Sequence, residues 1–295
     1  MNTSQNRVPP IAELRRAAQG SKVAADKRWW YVLFRRISIY LTWALLHTRV
    51  TPNHVTIASL IVASIGLVMV GATNPWPAFI GYLLLLLYHL LDRVDGEIAR
   101  IRSTYSLYGI YLDNAGHYVT GAGVFVATTY RLTAGAGQPR MLWLIGVIAG
   151  FAAVMARVEK HAAFHLFSQY VIERPSLARD LESSQHGALT RSAVRSSRSA
   201  DAKPSRRSLV AAARDMALAL TSFPSVASIL LLGTLAEIVS GGTSVAFWAL
   251  IAIALVQIGT YVALEAAMLT QGLASESLRL LDELSNDEPT DESKR

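Results

Sequence analysis

No cysteine occurs among the 295 residues. Disulfides, thiolate metal sites and cysteine nucleophiles are therefore excluded, and the redox compartment cannot be read. Charge is scarce as well. Only 17% of residues are Asp, Glu, Lys or Arg, against 52% hydrophobic, and mean hydropathy is +0.32. A soluble domain carries nearer a quarter charged residues, and a chain this apolar cannot stay disordered, so the composition points to a bilayer. Acidic residues are the scarcer sign, 21 against 28 Lys and Arg, for a net charge of +7. No aromatic–basic pattern of a nucleic-acid module accompanies the surplus, and nucleic acid is not an expected partner. A cleavable signal is not expected either, because Arg7, Arg15, Arg16, Lys22, Lys27 and Arg28 precede any apolar run.

What the chain does have is a series of long uncharged runs. The expectation is an all-α integral membrane protein with six transmembrane helices. The runs are Val55 to Ala72, Trp76 to Leu91, Leu107 to Thr129 (interrupted by Asp113 and His117), Met141 to Ala156, Met216 to Ile238 (with Pro224) and Val245 to Leu269 (with Glu265). Two runs of 16 are short for a bilayer and are expected to extend beyond their uncharged windows. Residues 1–25 read as a cytoplasmic segment. Residues 26–50 mix Trp29, Trp30, Phe34, Ile37 and Trp43 with Lys27, Arg28, Arg35 and Arg36, which suits an amphipathic helix lying in the interface; a spanning helix with snorkelling arginines is the alternative. Residues 51–270 form the membrane domain. It includes a Ser/Arg-rich stretch at about 176–208 that reads as a mobile cytoplasmic loop, and an acidic cytoplasmic tail follows at 271–295.

Lys and Arg divide 26 to 2 between the two sides that six spans create, with only Arg131 and Arg140 on the sparse side. The positive-inside rule then puts both termini in the cytoplasm and assigns the basic surplus to orientation and anionic lipid.

The chemistry is expected where the apolar logic breaks. Asp92, Asp95, Glu97 and Arg100 end the second run, and Asp113 and His117 lie inside the third. A carboxylate within a span costs about 2.5–3.5 kcal/mol even on a lenient scale, so the group calls for compensation. At i,i+3 Asp92 and Asp95 share a helix face, as do Gly109, Asp113 and His117 at i,i+4 steps. Two helices joined by a turn therefore aim three carboxylates and an imidazole into one space. All-oxygen ligands suit a hard divalent cation, Mg or Mn, while the imidazole admits Zn. The bland alternative is pairing of these acids with Arg93, Arg100 and Arg102 at the interface.

From Asp92 to Asp113 the chain reads DRVDGEIARIRSTYSLYGIYLD, which fits D-x-x-D-G-x-x-A-R-x8-G-x3-D. This resembles the signature of the CDP-alcohol phosphotransferase family. Its members move a phosphatidyl or similar phosphoryl-alcohol unit from a CDP-linked donor to an acceptor hydroxyl, releasing CMP. The plan of an interfacial helix, six spans and TPNHVT (Thr51 to Thr56) opening the first span is similar too. The family signature ends with a fourth Asp, where this chain has His117. The resemblance implies metal ligation by Asp92, Asp95, Asp113 and His117, with Asp113 and His117 catalytic and His117 in the place of the base. A histidine works as a base near neutral pH but brings no negative charge, which opens the question of metal number and preference.

Resemblance and chemistry together place the donor on Gly96, Ala99, Arg100, Gly109, Asn53 and Thr56. Small-residue packing is the alternative for Gly96, Ala99 and Gly109, and N-capping of the first span for Asn53 and Thr56. Arg157 and Lys160 share a face and suit an acceptor phosphate, or equally the positive-inside anchoring of their span. The expected function is phosphatidyl transfer in phospholipid synthesis. The alternatives are a catalytically weak relative that binds CDP-lipid or metal as a sensor or scaffold, and a transporter with acids along an ion path. The family also implies membrane lipids as partners and a homodimer; it does not name the acceptor alcohol or the donor lipid.

Overall fold

A computed structural model describes residues 9–25, 29–104, 106–134, 141–172 and 216–271. Among them every regular element is a helix: α1 (Ile11–Ala25), α2 (Trp29–Leu46), α3 (Pro52–Val70), α4 (Pro75–Arg102), α5 (Leu107–Ala134), α6 (Met141–Ile172), α7 (Phe223–Ser240) and α8 (Ser244–Gln271). The Ser/Arg-rich loop and the acidic tail lie outside the described residues. The chain divides into two units, Met1–Val154 with Ala217–Ile258, and Met155–Met216 with Gly259–Arg295.

Local chemistry sets the helix ends in the first unit. Thr51 caps α3: its side chain accepts from the His54 backbone N–H at 3.3 Å, while the His54 ring faces the Thr51 N–H, and Pro52 occupies the first turn, where its missing N–H is harmless. The cap is thus Thr51, and not Asn53 or Thr56. Asn74 caps α4 by accepting from the Trp76 N–H at 3.0 Å. Ser103 ends the same helix in the left-handed conformation at φ 51°. The fifth apolar run does not form one helix from Met216. Residues 216–220 are helical, the chain turns at 221–222, and α7 begins at Phe223 with Pro224 in its first turn. Proline lacks the N–H an interior turn requires, so it starts the helix instead of lying within it.

Five helical segments are long and apolar enough to cross a bilayer: Pro52–Val70, Pro75–Arg102, Met141–Val158, Phe223–Ser240 and Ser244–Ala266. Only 28–50% of their residues are buried, and large apolar side chains such as Val68 (78% exposed) and Val239 (81% exposed) point outward. Apolar surface on that scale requires lipid, as in a multi-pass membrane protein. The expected third span corresponds to α5, which is long enough but carries Asp113, His117 and Arg131 and falls outside the five on apolarity.

The core of the first unit joins Val70 of α3, Tyr82 and Leu85 of α4, Phe125 of α5, Leu230 of α7 and Leu250 of α8. Helices α3 and α4 meet backbone to backbone at Gly81, where a Cβ would lie 2.6 Å from the Val70 nitrogen and 2.7 Å from the Gly66 oxygen. That close crossing fixes α4, the helix bearing most of the signature, against α3.

Arg131 is not the loop cation that charge counting made it. It is 2% exposed within α5, and its guanidinium meets Glu237 of α7 at 2.6 Å and the Thr234 hydroxyl at 3.2 Å. Burial in the bundle demands a counter-charge, which Glu237 supplies. In the second unit, the Tyr261 hydroxyl donates to Glu265 at 2.8 Å, one helical turn along α8.

Candidate active site

The signature helix α4 and the start of α5 bring three of the four expected ligands together. His117 Nε2 lies 3.2 Å from Asp92 Oδ1 and 3.4 Å from Asp113 Oδ1. One ligand atom from each of Asp92, Asp113 and His117 falls within 4.8 Å of the others. A nitrogen this close to two carboxylates carries its proton toward them, so the imidazole partly offsets the repulsion between the acids. Asp113 is the outermost, 39% exposed, and Asp92 and His117 lie deeper.

Asp95, one turn beyond Asp92, faces α3 instead. Its Oδ2 accepts from the Thr56 hydroxyl at 2.7 Å, and that hydroxyl also contacts the Pro52 carbonyl at 3.1 Å. Thr56 thus orients a signature carboxylate. Asn53 lies at the foot of α5, where its Oδ1 accepts from the Ser106 hydroxyl at 3.0 Å; Ser106 in turn accepts from the Gly109 N–H at 2.9 Å. A Cβ at Gly109 would stand 2.8 Å from Asn53 Oδ1 and 3.0 Å from Ser106 Oγ, so a larger residue there would displace those two side chains.

Arg100 donates from Nε to the Ala18 carbonyl of α1 at 2.8 Å, and its guanidinium end folds over Gly96. Ala99 serves through its carbonyl, which accepts from the Thr104 N–H at 3.0 Å in the turn that ends α4. Arg102 is engaged by the carbonyls of Val50 and Thr48. Arg100 and Arg102 are therefore held by backbone oxygens, against the bland reading in which they pair with the acids. Arg157 belongs to the second unit and is half-buried; the side chain of Lys160 is outside the described residues.

Two features escaped the sequence reading. Tyr88, 1% exposed, places its hydroxyl 3.3 Å from His117 Nδ1, with the rings edge to face at 6.0 Å. Its one available signal was position, a turn before Asp92 on the same face. Glu97 belongs to the acidic run but turns away from the cluster, and its carboxylate accepts from Gln19, Ser38 and Thr42 of α1 and α2. Beside the site an open apolar groove of about 460 Å³ runs between α3 and α5, lined by Ile57, Leu60, Ile61, Ile65, Tyr108 and Leu112.

No curated protein matches the chain. The model of one family does match, over residues 49–171, a stretch that holds Asp92, Asp95, Asp113, His117 and their partners Thr56 and Tyr88. The family is described as CDP-alcohol phosphatidyltransferase, and over residues 49–171 the chain is similar to it.

Proposed function

We propose that this protein moves a phosphatidyl or related phosphoryl-alcohol group from a CDP-linked, CDP-diacylglycerol-like donor to the hydroxyl of a small alcohol or phospho-alcohol, releasing CMP, in phospholipid synthesis. The family carries out transfer of phosphate-containing groups. The single observation that carries the reading for this chain is the meeting of Asp92, Asp113 and His117, their ligand atoms within 4.8 Å, inside the family-matched segment.

Two carboxylates and an imidazole at that separation fit one divalent cation, Mg, Mn or Zn, with Asp95 the further acid of the signature. A cation held there would supply neutralisation of the pyrophosphate charge. The chain's own groups do the rest. Arg100 takes the donor phosphates, and Asn53, Thr56, Gly96, Ala99 and Gly109 border the space for the nucleotide. The apolar groove between α3 and α5 suits a donor acyl chain. As the base, His117 stays off the cation and its Nε2 gives up the proton shared with Asp92 and Asp113, so that it takes the proton of the acceptor hydroxyl while Tyr88 holds the ring through Nδ1; as a ligand of the cation, it leaves that proton to Asp113. The acceptor oxygen forms its bond to the phosphorus bearing the lipid alcohol; the bond from that phosphorus to the bridging oxygen breaks, and CMP departs with the electron pair. Arg157 and Lys160 hold an acceptor phosphate. Six spans, α5 among them, an interfacial α2, a cytoplasmic site and termini, and a homodimer complete the proposal.

A second reading has a specific observation in its favour. An imidazole N–H already shared between Asp92 and Asp113 satisfies both acids without a cation, which suits a catalytically weak relative that binds CDP-lipid as a sensor or scaffold. Release of CMP from CDP-diacylglycerol, screened over acceptor alcohols with Mg, Mn and Zn in turn, tests the first reading. Asp95→Ala abolishes the release if the site is correctly assigned, and persistence of activity in that variant overturns the assignment. His117→Asp separates the two readings: a gain of activity in an inert protein supports the scaffold, and impairment of an active one gives the imidazole a catalytic task.

A further inference from the structure

We infer that helix α1 forms part of the donor site by holding Arg100 in place over Gly96; the inference rests on the reading above only in taking Arg100 as the ligand of the donor phosphates. Glu97 points from the side of α4 opposite Asp95 and is 2% exposed. Its Oε1 accepts from Gln19 Nε2 of α1 at 2.7 Å and from Ser38 Oγ of α2 at 2.7 Å, and its Oε2 from Thr42 Oγ1 of α2 at 2.6 Å. Gln19 also donates to the Arg35 carbonyl of α2 at 3.0 Å, so one amide joins three helices. A buried carboxylate that loses such donors pays its full desolvation, which makes the Glu97 hub a strong clamp. Leu14, Ala18 and Ile39, all nearly fully buried, pack beside it against Ile101.

The clamp and the arginine share one residue pair on α1. Gln19 meets Glu97, and the adjacent Ala18 offers its carbonyl to Arg100 Nε at 2.8 Å. With Nε anchored, the guanidinium end rests over Gly96, 3.3 Å from where a Cβ would stand. Arginine loses much rotamer freedom when it grips a phosphate, and an anchor at Nε removes part of that freedom beforehand. Helix α1 lies outside the family-matched residues 49–171, and Glu97 occupies a position that the D-x-x-D-G-x-x-A-R motif leaves open. The device therefore belongs to this chain's N-terminal region and not to the shared motif. Glu97 and Gln19 are positioning residues that act through Arg100.

The test is the affinity of the purified full-length protein for CDP, measured calorimetrically in detergent with Mn at mildly alkaline pH. Gln19→Glu sets two carboxylates face to face and pushes α1 off α4; CDP affinity falls about tenfold, as expected for loss of one charged contact. The exchanged pair Gln19→Glu with Glu97→Gln restores an acid–amide contact between α1 and α4 but not the bond to the Arg35 carbonyl, and returns affinity to within about threefold of the parent. In an Arg100→Ala background Gln19→Glu adds no further loss, a result that general destabilisation would not give. Parent and Gln19→Glu proteins binding CDP equally, or losses from Gln19→Glu and Arg100→Ala that multiply, overturn the inference and leave the phosphotransfer reading standing. A parent protein that binds no CDP overturns that reading, and the donor role of α1 falls with it.

Discussion

At the scale of single residues, the imidazole of His117 is held from two sides. Its Nε2 faces Asp92 and Asp113, and its Nδ1 faces the buried hydroxyl of Tyr88. A tyrosine hydroxyl donates or accepts, so it accommodates either tautomer of the ring. Tyr88→Phe keeps the ring packing and removes that contact alone. CMP release is expected to fall by about one order of magnitude while stability changes by no more than about 1 kcal/mol, which kinetics and thermal unfolding read separately. In a His117→Asp background the same substitution has no such effect on turnover. Metal affinity in the parent rises with pH, because a cation at His117 displaces a proton; Mn titrations at two pH values check the direction. Asp92, Asp113 and His117 were legible in the sequence because helical spacing puts them on facing surfaces. Tyr88 was not, since an aromatic ring inside an apolar run looks the same whether it faces lipid, core or a site. The bond that Asp95 accepts from Thr56 was equally hidden, because spacing along one helix does not name partners on another.

Among helices, the join between α5 and α7 rests on a buried ion pair at their ends away from the acidic cluster. Arg131 and Glu237 are 2% and 6% exposed, and Thr234 adds a hydrogen bond. Removing one partner strands the other charge, so Arg131→Met costs about 3–5 kcal/mol. Replacing both residues with methionine recovers most of that loss, and thermal unfolding in detergent reads the difference. The helices themselves were legible as long uncharged runs. This pairing was not, because its members stand 106 residues apart and each, at the edge of an apolar run, resembles a loop charge. Glu97 shows the same limit in reverse: its place within the acidic motif suggested the site, whereas its partners lie on α1 and α2. A cap obeys nearest neighbours and is easier to read, yet Thr51 took the role that Asn53 and Thr56 were also eligible for.

For the whole molecule, the count of spans turns on α5. Hydropathy alone admits five helices, and the sixth is discounted by the same Asp113, His117 and Arg131 that give it chemistry and a tertiary contact. A chain without cysteine lends itself to a direct test, because any introduced thiol is the sole label. If α5 spans, Asn74→Cys and Gly242→Cys react with an impermeant maleimide applied to intact cells, and Thr104→Cys reacts only after permeabilisation. Labelling of Asn74→Cys in intact cells with Gly242→Cys reacting only after permeabilisation refutes the six-span arrangement, because that is the outcome of five spans without α5.

The turn at Ser103 bears on how the protein is made. It lets α5 begin five residues after α4 ends, so Asp92, Asp95, Asp113 and His117 belong to one helical hairpin. Thr56 and Tyr88, which bond Asp95 and His117, precede residue 118 as well, as do Ala18, Gln19, Ser38 and Thr42, which bond Arg100 and Glu97. During synthesis the acidic cluster can assemble from contacts made within the first 117 residues before α6, α7 and α8 have emerged from the ribosome. The later helices then join a centre already in place, and their substitutions bear on the durability of the membrane bundle more than on the formation of its chemistry.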